Sequence, residues 1–314
     1  PELVGTIDAK TFKPAQITVA SVDTLYSRLN NPDTEDDIKD FLKEIDFVIC
    51  DECHRATSNS FKEVVNLTKA PLRLGLSGTP LKKEDNRDLL LHSVTGPILY
   101  KIDASVLKER NALALANLIP VLVSEPKIIN KKITWPETMD LFIINNNYRH
   151  DLIARVAKSE FDKNKLILIL VGNSVPLAHN IFNEFIKYVP KDKVGLVTGQ
   201  TRENSTTLSA LRTGTIRAIV TTTVADEGID VPSIDTLLLV GGGASYNKTI
   251  QRVGRGLRPK EDGRALLVYD FMDTNSIFLA RHADKRLEYY QEEGLFEDIS
   301  AISDTRLLKE LNLA

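Results

Sequence analysis

Cysteine is scarce in this chain: there are two in 314 residues, Cys50 and Cys53. Two thiols cannot build a disulfide framework, so a reducing compartment is expected. Long apolar runs are missing as well. None approaches the roughly 18 residues that span a bilayer, so no membrane partner is expected. The first residues show no basic stretch followed by the apolar middle of a secretory leader. Positive charge is not in excess: 40 Lys and Arg face 43 Asp and Glu, for a net charge of −3. A nucleic-acid partner would have to meet a local basic groove. Finally, no Gly-Lys pair occurs anywhere. That removes the phosphate-cradling pattern G-x-x-x-x-G-K-[ST] from these residues.

A chain of 314 residues suits two domains. The first residues, Pro-Glu-Leu-Val-Gly, lack Met and lead to a strand by Ile17. They read as the middle of a domain, so a processed or truncated start is expected. Short apolar runs then alternate with amphipathic stretches. Strands are predicted at 17–20, 45–50 and 72–76, with helices at 21–29 and 60–67 and another ending near Glu44. Between 124 and 147 the alternation breaks around Pro126, Lys127, Lys131, Lys132, Trp135, Pro136 and three consecutive Asn residues. The interdomain connection is therefore predicted at 126–146, dividing a first domain, 1–125, from a second, 147–314. Strands at 165–171, 194–198, 217–222, 236–240 and 265–269 follow, with helices at 175–189, 203–212 and 277–290. Runs this short, separated by helices, imply parallel strands buried on both faces. The expected fold is α/β, with doubly wound parallel sheets.

In such sheets, ligands sit at the carboxyl ends of the strands. Residues 45–54, IDFVICDECH, end an apolar run in two adjacent carboxylates and a histidine. Asp51 is placed to hold Mg²⁺ through water, and Glu52 to deprotonate an attacking water. An acidic turn reads equally well from these residues alone. Ser77-Gly78-Thr79-Pro80 also closes a strand, and alone is an ordinary turn. Residues 221–232, TTTVADEGIDVP, follow a strand in the second half. Residues 251–258, QRVGRGLR, set Arg252, Arg255 and Arg258 among Gly254 and Gly256. They form either a solvated basic helix end or an arginine group suited to bidentate phosphate contacts.

In order, ITVASVDTL, DECH, SGTP, LILVGNSV, TTTVADEGIDVP and QRVGRGLRP resemble the motif series of superfamily 2 helicases. The resemblance runs over nearly the whole chain, and six motifs in one order weigh far more than any alone. DECH, SGTP and the QRVGRGLRP ending look most like DNA-directed members, the phage UvsW-type and XPB-type helicases. The resemblance implies two RecA-like domains, the first incomplete at its N-terminus, with ATP and Mg²⁺ in the cleft between them. Asp51 would hold Mg²⁺ and Glu52 would be the general base. His54 would couple the nucleotide to its surroundings, with Gln251 as neighbour. Ser77 and Thr79 would link hydrolysis to movement. Gly228 and Asp230 would approach the nucleotide, and Arg255 and Arg258 its γ-phosphate. Ser21, Thr198 and Thr222 would contact phosphates of DNA, as a single strand or a branched junction. Such a protein belongs in the cytoplasm of a bacterium or phage-infected cell, or in a eukaryotic nucleus. Protein partners are not readable.

The missing Gly-Lys departs from this pattern. The phosphate loop is expected upstream of Pro1, and the chain alone is expected to hydrolyse little or no ATP. Two rivals stand beside a strand-separating helicase with roles in replication, recombination or repair. One is a double-strand translocase that does not open DNA; the other is a binding module without catalysis. RNA as substrate also stays open. Cys50 and Cys53 have C-x-x-C spacing, but zinc sites usually need four ligands, so buried small residues are expected. Trp135 reads as a packing residue or as a base-stacking one. Tyr246 and Lys248 line a cleft in this reading, and Gly241–Gly243 is a loop that a ligand approaches closely.

Overall fold

The structure is a computed structural model. It describes residues 3–78, 87–126, 133–200, 204–222, 234–245, 253–254, 257, 259–260 and 262–311. The chain forms two compact units, Pro1–Lys101 and Ile102–Ala314. No helix among the described residues is long and apolar enough to cross a membrane.

The first unit has two small sheets. β1 (Val4–Ile7) pairs antiparallel with β2 (Phe12–Lys13) and parallel with β3 (Ile17–Ala20). β4 (Phe47–Cys50) pairs parallel with β5 (Leu72–Gly75). Four helices pack on them, Val22–Leu29, Glu35–Lys43, Asn59–Leu67 and Arg87–Thr95. Alternation along the strands sends Ile7 and Cys50 into cores formed with Leu25, Ile38, Phe61 and Leu91. The opposite faces are bare. In register, Val4 lies beside Ile17 and Phe47 beside Leu72, and all four are at least half exposed. The expectation of strands buried on both faces therefore fails in this unit, because all its core residues lie on one side of each sheet.

The second unit meets that expectation. β6 (Ala116–Val123), β7 (Ile167–Leu170), β8 (Val194–Val197), β9 (Ala218–Thr221), β10 (Thr236–Leu239), β11 (Leu266–Asp273), β12 (Asp298–Ile299) and β13 (Ile302–Ser303) form one parallel sheet. Its order is β12-β6-β11-β10-β7-β9-β8, with β13 also on β6. All residues of β7, β9 and β10 are buried. Ile167 and Ile169 enter one core, with the helices Asn147–Asp162 and Val175–Phe185. Leu168 and Leu170 enter the other, with Ala283 and Tyr290 of the helix Ile277–Glu292.

The division between units differs from the expected connection at 126–146. It lies at Lys101/Ile102, because β6 pairs with all eight residues of β11. From residue 133 on, the stretch that reads as a linker is built structure. Thr134 and Glu137 form a capping box that starts the helix Trp135–Met139. Asn146 caps the helix Asn147–Asp162 by accepting from the Arg149 N–H at 3.1 Å. The Asn run is thus the junction of two helical segments.

Candidate active site

Cys50 ends β4 inside a core, and the next two residues leave it. Glu52 turns the chain with φ of +48°. Its carboxylate is on a side chain 48% exposed. The turn is tied to β5 by backbone bonds, Cys53 N–H to Leu76 C=O and Leu76 N–H to Cys50 C=O, each 2.9 Å. Gly75 makes this closeness available, since a Cβ there would stand 2.9 Å from Cys53 Sγ.

These bonds bring the two expected motifs together. His54 is buried, and its Nδ1 lies 3.1 Å from Ser77 Oγ and 3.2 Å from Glu52 Oε2. One imidazole therefore connects the carboxylate at the end of β4 to the hydroxyl after β5. Asp51 is exposed and accepts from the Glu52 N–H at 2.9 Å. A single exposed carboxylate at a strand end is a hard oxygen donor. It fits Mg²⁺ held through water, with phosphates completing the shell. No cluster of three His, Cys, Asp or Glu among the described residues is placed to hold a metal unaided. Burial pushes the Cys50 thiol up to about 11 and raises that of Cys53, so both stay protonated near neutrality.

Ser21 is exposed after β3 and precedes the helix Val22–Leu29, where its side chain makes no cap bond. A hydroxyl at a helix N-terminus suits an anion. Thr198 and Thr222 also lie at carboxyl ends, after β8 and β9, but both are buried. The Thr198 hydroxyl accepts from the Gln200 N–H at 3.3 Å and shapes the turn. The Thr222 N–H donates to Val197 C=O at 3.1 Å, while its buried hydroxyl has no partner. Thr79, Gly228, Asp230, Gln251, Arg255 and Arg258 lie outside the described residues, as do Lys127, Lys131, Lys132, Tyr246 and Lys248.

Sequence reasoning missed the buried charges behind this end of the second sheet. Arg286 donates to both oxygens of Asp270 at 2.8 and 3.0 Å and to Gly243 C=O at 3.0 Å. The Tyr290 hydroxyl adds a bond to Asp270 at 2.8 Å. Arg149 makes a bidentate pair with Asp273 at 2.8 and 3.1 Å. Arg286, through Gly243, holds the 241–243 loop, where Gly242 has φ of +65° and a Cβ would crowd Ile143 at 3.1 Å. The one signal was two Asp residues inside the apolar run LLVYDFMD, and it does not say which Arg answers them.

Residues 4–82 match the family described as type III restriction enzyme, res subunit, and residues 150–260 match the helicase conserved C-terminal domain. The DNA 3′-5′ translocase XPB2 of Sulfurisphaera tokodaii is 23% identical over 295 residues, covering 80% of this chain and 62% of that one. A Vibrio vulnificus fragment, a candidate HsdR subunit of a type I restriction enzyme, shares the fold with a TM-score of 0.70 at 17% identity, covering 96% of this chain and 55% of that one. So does the L327V variant of Saccharomyces cerevisiae Dbp5 bound to RNA and ADP BeF3, at TM-score 0.61 and 15% identity, covering 99% of this chain and 74% of that one. The chain spans about half the length of the curated relatives it matches, 53% and 62% of two of them. These two family matches, in this order along one chain and with DECH inside the first, show that the chain belongs to the superfamily 2 helicases.

Proposed function

We propose that this protein supplies part of an ATP-driven motor that moves on DNA. The observation that carries the reading is His54, which joins Glu52 to Ser77 across the ends of two adjacent strands. Glu52 accepts a proton from water as the water oxygen attacks the γ-phosphorus. The bond from that phosphorus to the bridging oxygen then breaks, and ADP and phosphate leave. Mg²⁺, when bound near Asp51, neutralises phosphate charge. Arg255 and Arg258 add positive charge at the γ-phosphate, with Gly228, Asp230 and Gln251 beside the nucleotide. His54 passes a change at Glu52 to Ser77, and Thr79 completes that turn. Ser21, Thr198 and Thr222 contact the DNA phosphates.

The 314 residues contain no Gly-Lys loop, so the chain alone is expected to show no ATP turnover. In a longer form carrying G-x-x-x-x-G-K-[ST], DNA is expected to stimulate ATPase activity, and Glu52→Gln to abolish it by about a hundredfold or more. An ATPase in that form indifferent to both DNA and RNA would sink the motor reading; stimulation by RNA alone would change its track. A second reading, movement on duplex DNA without opening it, is favoured by the likeness to a protein named a translocase. Triplex displacement without unwinding of forks or four-way junctions would select it. Opening of those junctions would instead support fork remodelling or branch migration in replication, recombination or repair.

A further inference from the structure

Trp135 packs beside two rings of the helix Ile277–Glu292. Its ring centre lies 4.6 Å from that of His282, tilted at 56°, and 6.4 Å from that of Phe278, edge-on at 74°. Trp135 is only partly buried, and Phe278 is 41% and Ile277 66% exposed. This is an aromatic surface on a helix that otherwise turns polar groups outward. Two cations share the helix face that carries Phe278. Arg281 and Lys285 are exposed, and at about 100° per residue both fall within about 60° of Phe278 around the helix. Asp284 falls about 120° from Phe278 on the same wheel. In sequence, Lys131 and Lys132 immediately precede the segment that carries Trp135. Glu137 accepts from the Thr134 N–H and hydroxyl and Asp140 from Asn145; these donors are neutral and leave both carboxylates charged, so phosphate would meet the cations on the helix face and not this segment.

Position supplies the next step. The helix begins just after the carboxyl end of β11, and His282 Nδ1 stands 3.4 Å from the carbonyl of Gly242, in the loop after β10. Burial lowers the pKa of His282, so its ring stays neutral near pH 7 against Trp135. Thr222 follows β9 at the same end of the sheet, three strand positions away from β11. At about 4.8 Å per strand that is about 15 Å, within reach of one bound strand.

We propose that Trp135 and Phe278 form a stacking platform for an unpaired base of single-stranded nucleic acid, with Arg281 and Lys285 holding the adjoining phosphates. The inference rests on the nucleic-acid reading above and adds to it a contact with the base itself. Aromatic faces accept any base, so the contact is tolerant of sequence. It requires the base to be out of a duplex stack.

Trp135 is the only tryptophan beside eight tyrosines, so emission excited at the red edge of absorption, where tyrosine does not absorb, reports this spot alone. The chain is titrated with a labelled oligothymidylate and with an abasic oligomer of equal length. Anisotropy reads binding, and Trp135 emission reads stacking. Both oligomers are expected to bind at low salt, but only oligothymidylate quenches Trp135. Phe278→Ala, at an exposed position, is expected to weaken oligothymidylate binding about tenfold and leave abasic binding and the thermal midpoint unchanged. Equal affinity and equal emission with the two oligomers would overturn the platform while the nucleic-acid reading stands. Absence of any anisotropy change with either oligomer would overturn both.

Discussion

Glu52 shows at a single residue why the site was only partly legible. Its carboxylate, and the role proposed for it, can be read from DECH, but its backbone cannot. A non-glycine residue at φ +48° costs roughly 1–2 kcal/mol, and nothing in the letters announces it. The strain turns the carboxylate back toward His54, whose partner Ser77 lies 23 residues further on. His150 carries a different residue-scale consequence. It is buried, and its Nε2 lies 3.1 Å from Ile143 C=O. Burial, helped by Arg149, lowers its pKa below 6.5, against a smaller opposing pull from that carbonyl and from Glu184. As pH falls through 6.5, the unfolded chain takes the proton before the folded one does. The stability that His150 contributes is therefore complete above pH 6.5 and is lost on acidification toward its lower folded value. Thermal melts between about pH 7.5 and pH 5.5 should show the midpoint falling, and less steeply in His150→Gln. Parallel slopes for the two proteins would refute this.

At the scale of elements, β7, β9 and β10 were legible because they are short apolar runs, interrupted only by Thr221 and Thr236 at their ends, as strands buried on both faces tend to be. β6 was not. Asn117 and Pro120 interrupt its run, and proline usually marks a strand's edge or end. Here the neighbour settles the matter, since β11 pairs along the full length of β6. The difference between the expected connection at 126–146 and the division at Lys101/Ile102 follows from that one strand. A protein of residues 102–314 should fold on its own and melt cooperatively. One of residues 147–314 loses β6, leaves the edge of β11 unpaired, and should give no cooperative melt by circular dichroism. Equal melting of the two would return the boundary to 126–146. The motifs of the second unit were legible as letters, while the Arg149 and Arg286 pairs behind them were not, because their partners lie 124 and 16 residues away.

At the scale of the whole molecule, two kinds of surface respond to ions in opposite ways. Phosphate contacts made by a chain of net charge −3 depend on a few local cations, and each is screened as salt rises. Binding to an oligonucleotide should therefore weaken steadily with sodium chloride, and anisotropy measures the slope. The bare strand faces of the first unit do the reverse. Val19 and Leu72, each 62% exposed, with Phe47 at 50%, present apolar surface that sulfate and phosphate drive together. Light scattering should show copies of the chain adhering as sulfate rises. The two trends leave an ionic window for handling this protein. Below it, the proposed phosphate contacts would keep any nucleic acid carried over from the host attached; above it, the uncovered strands recruit one another.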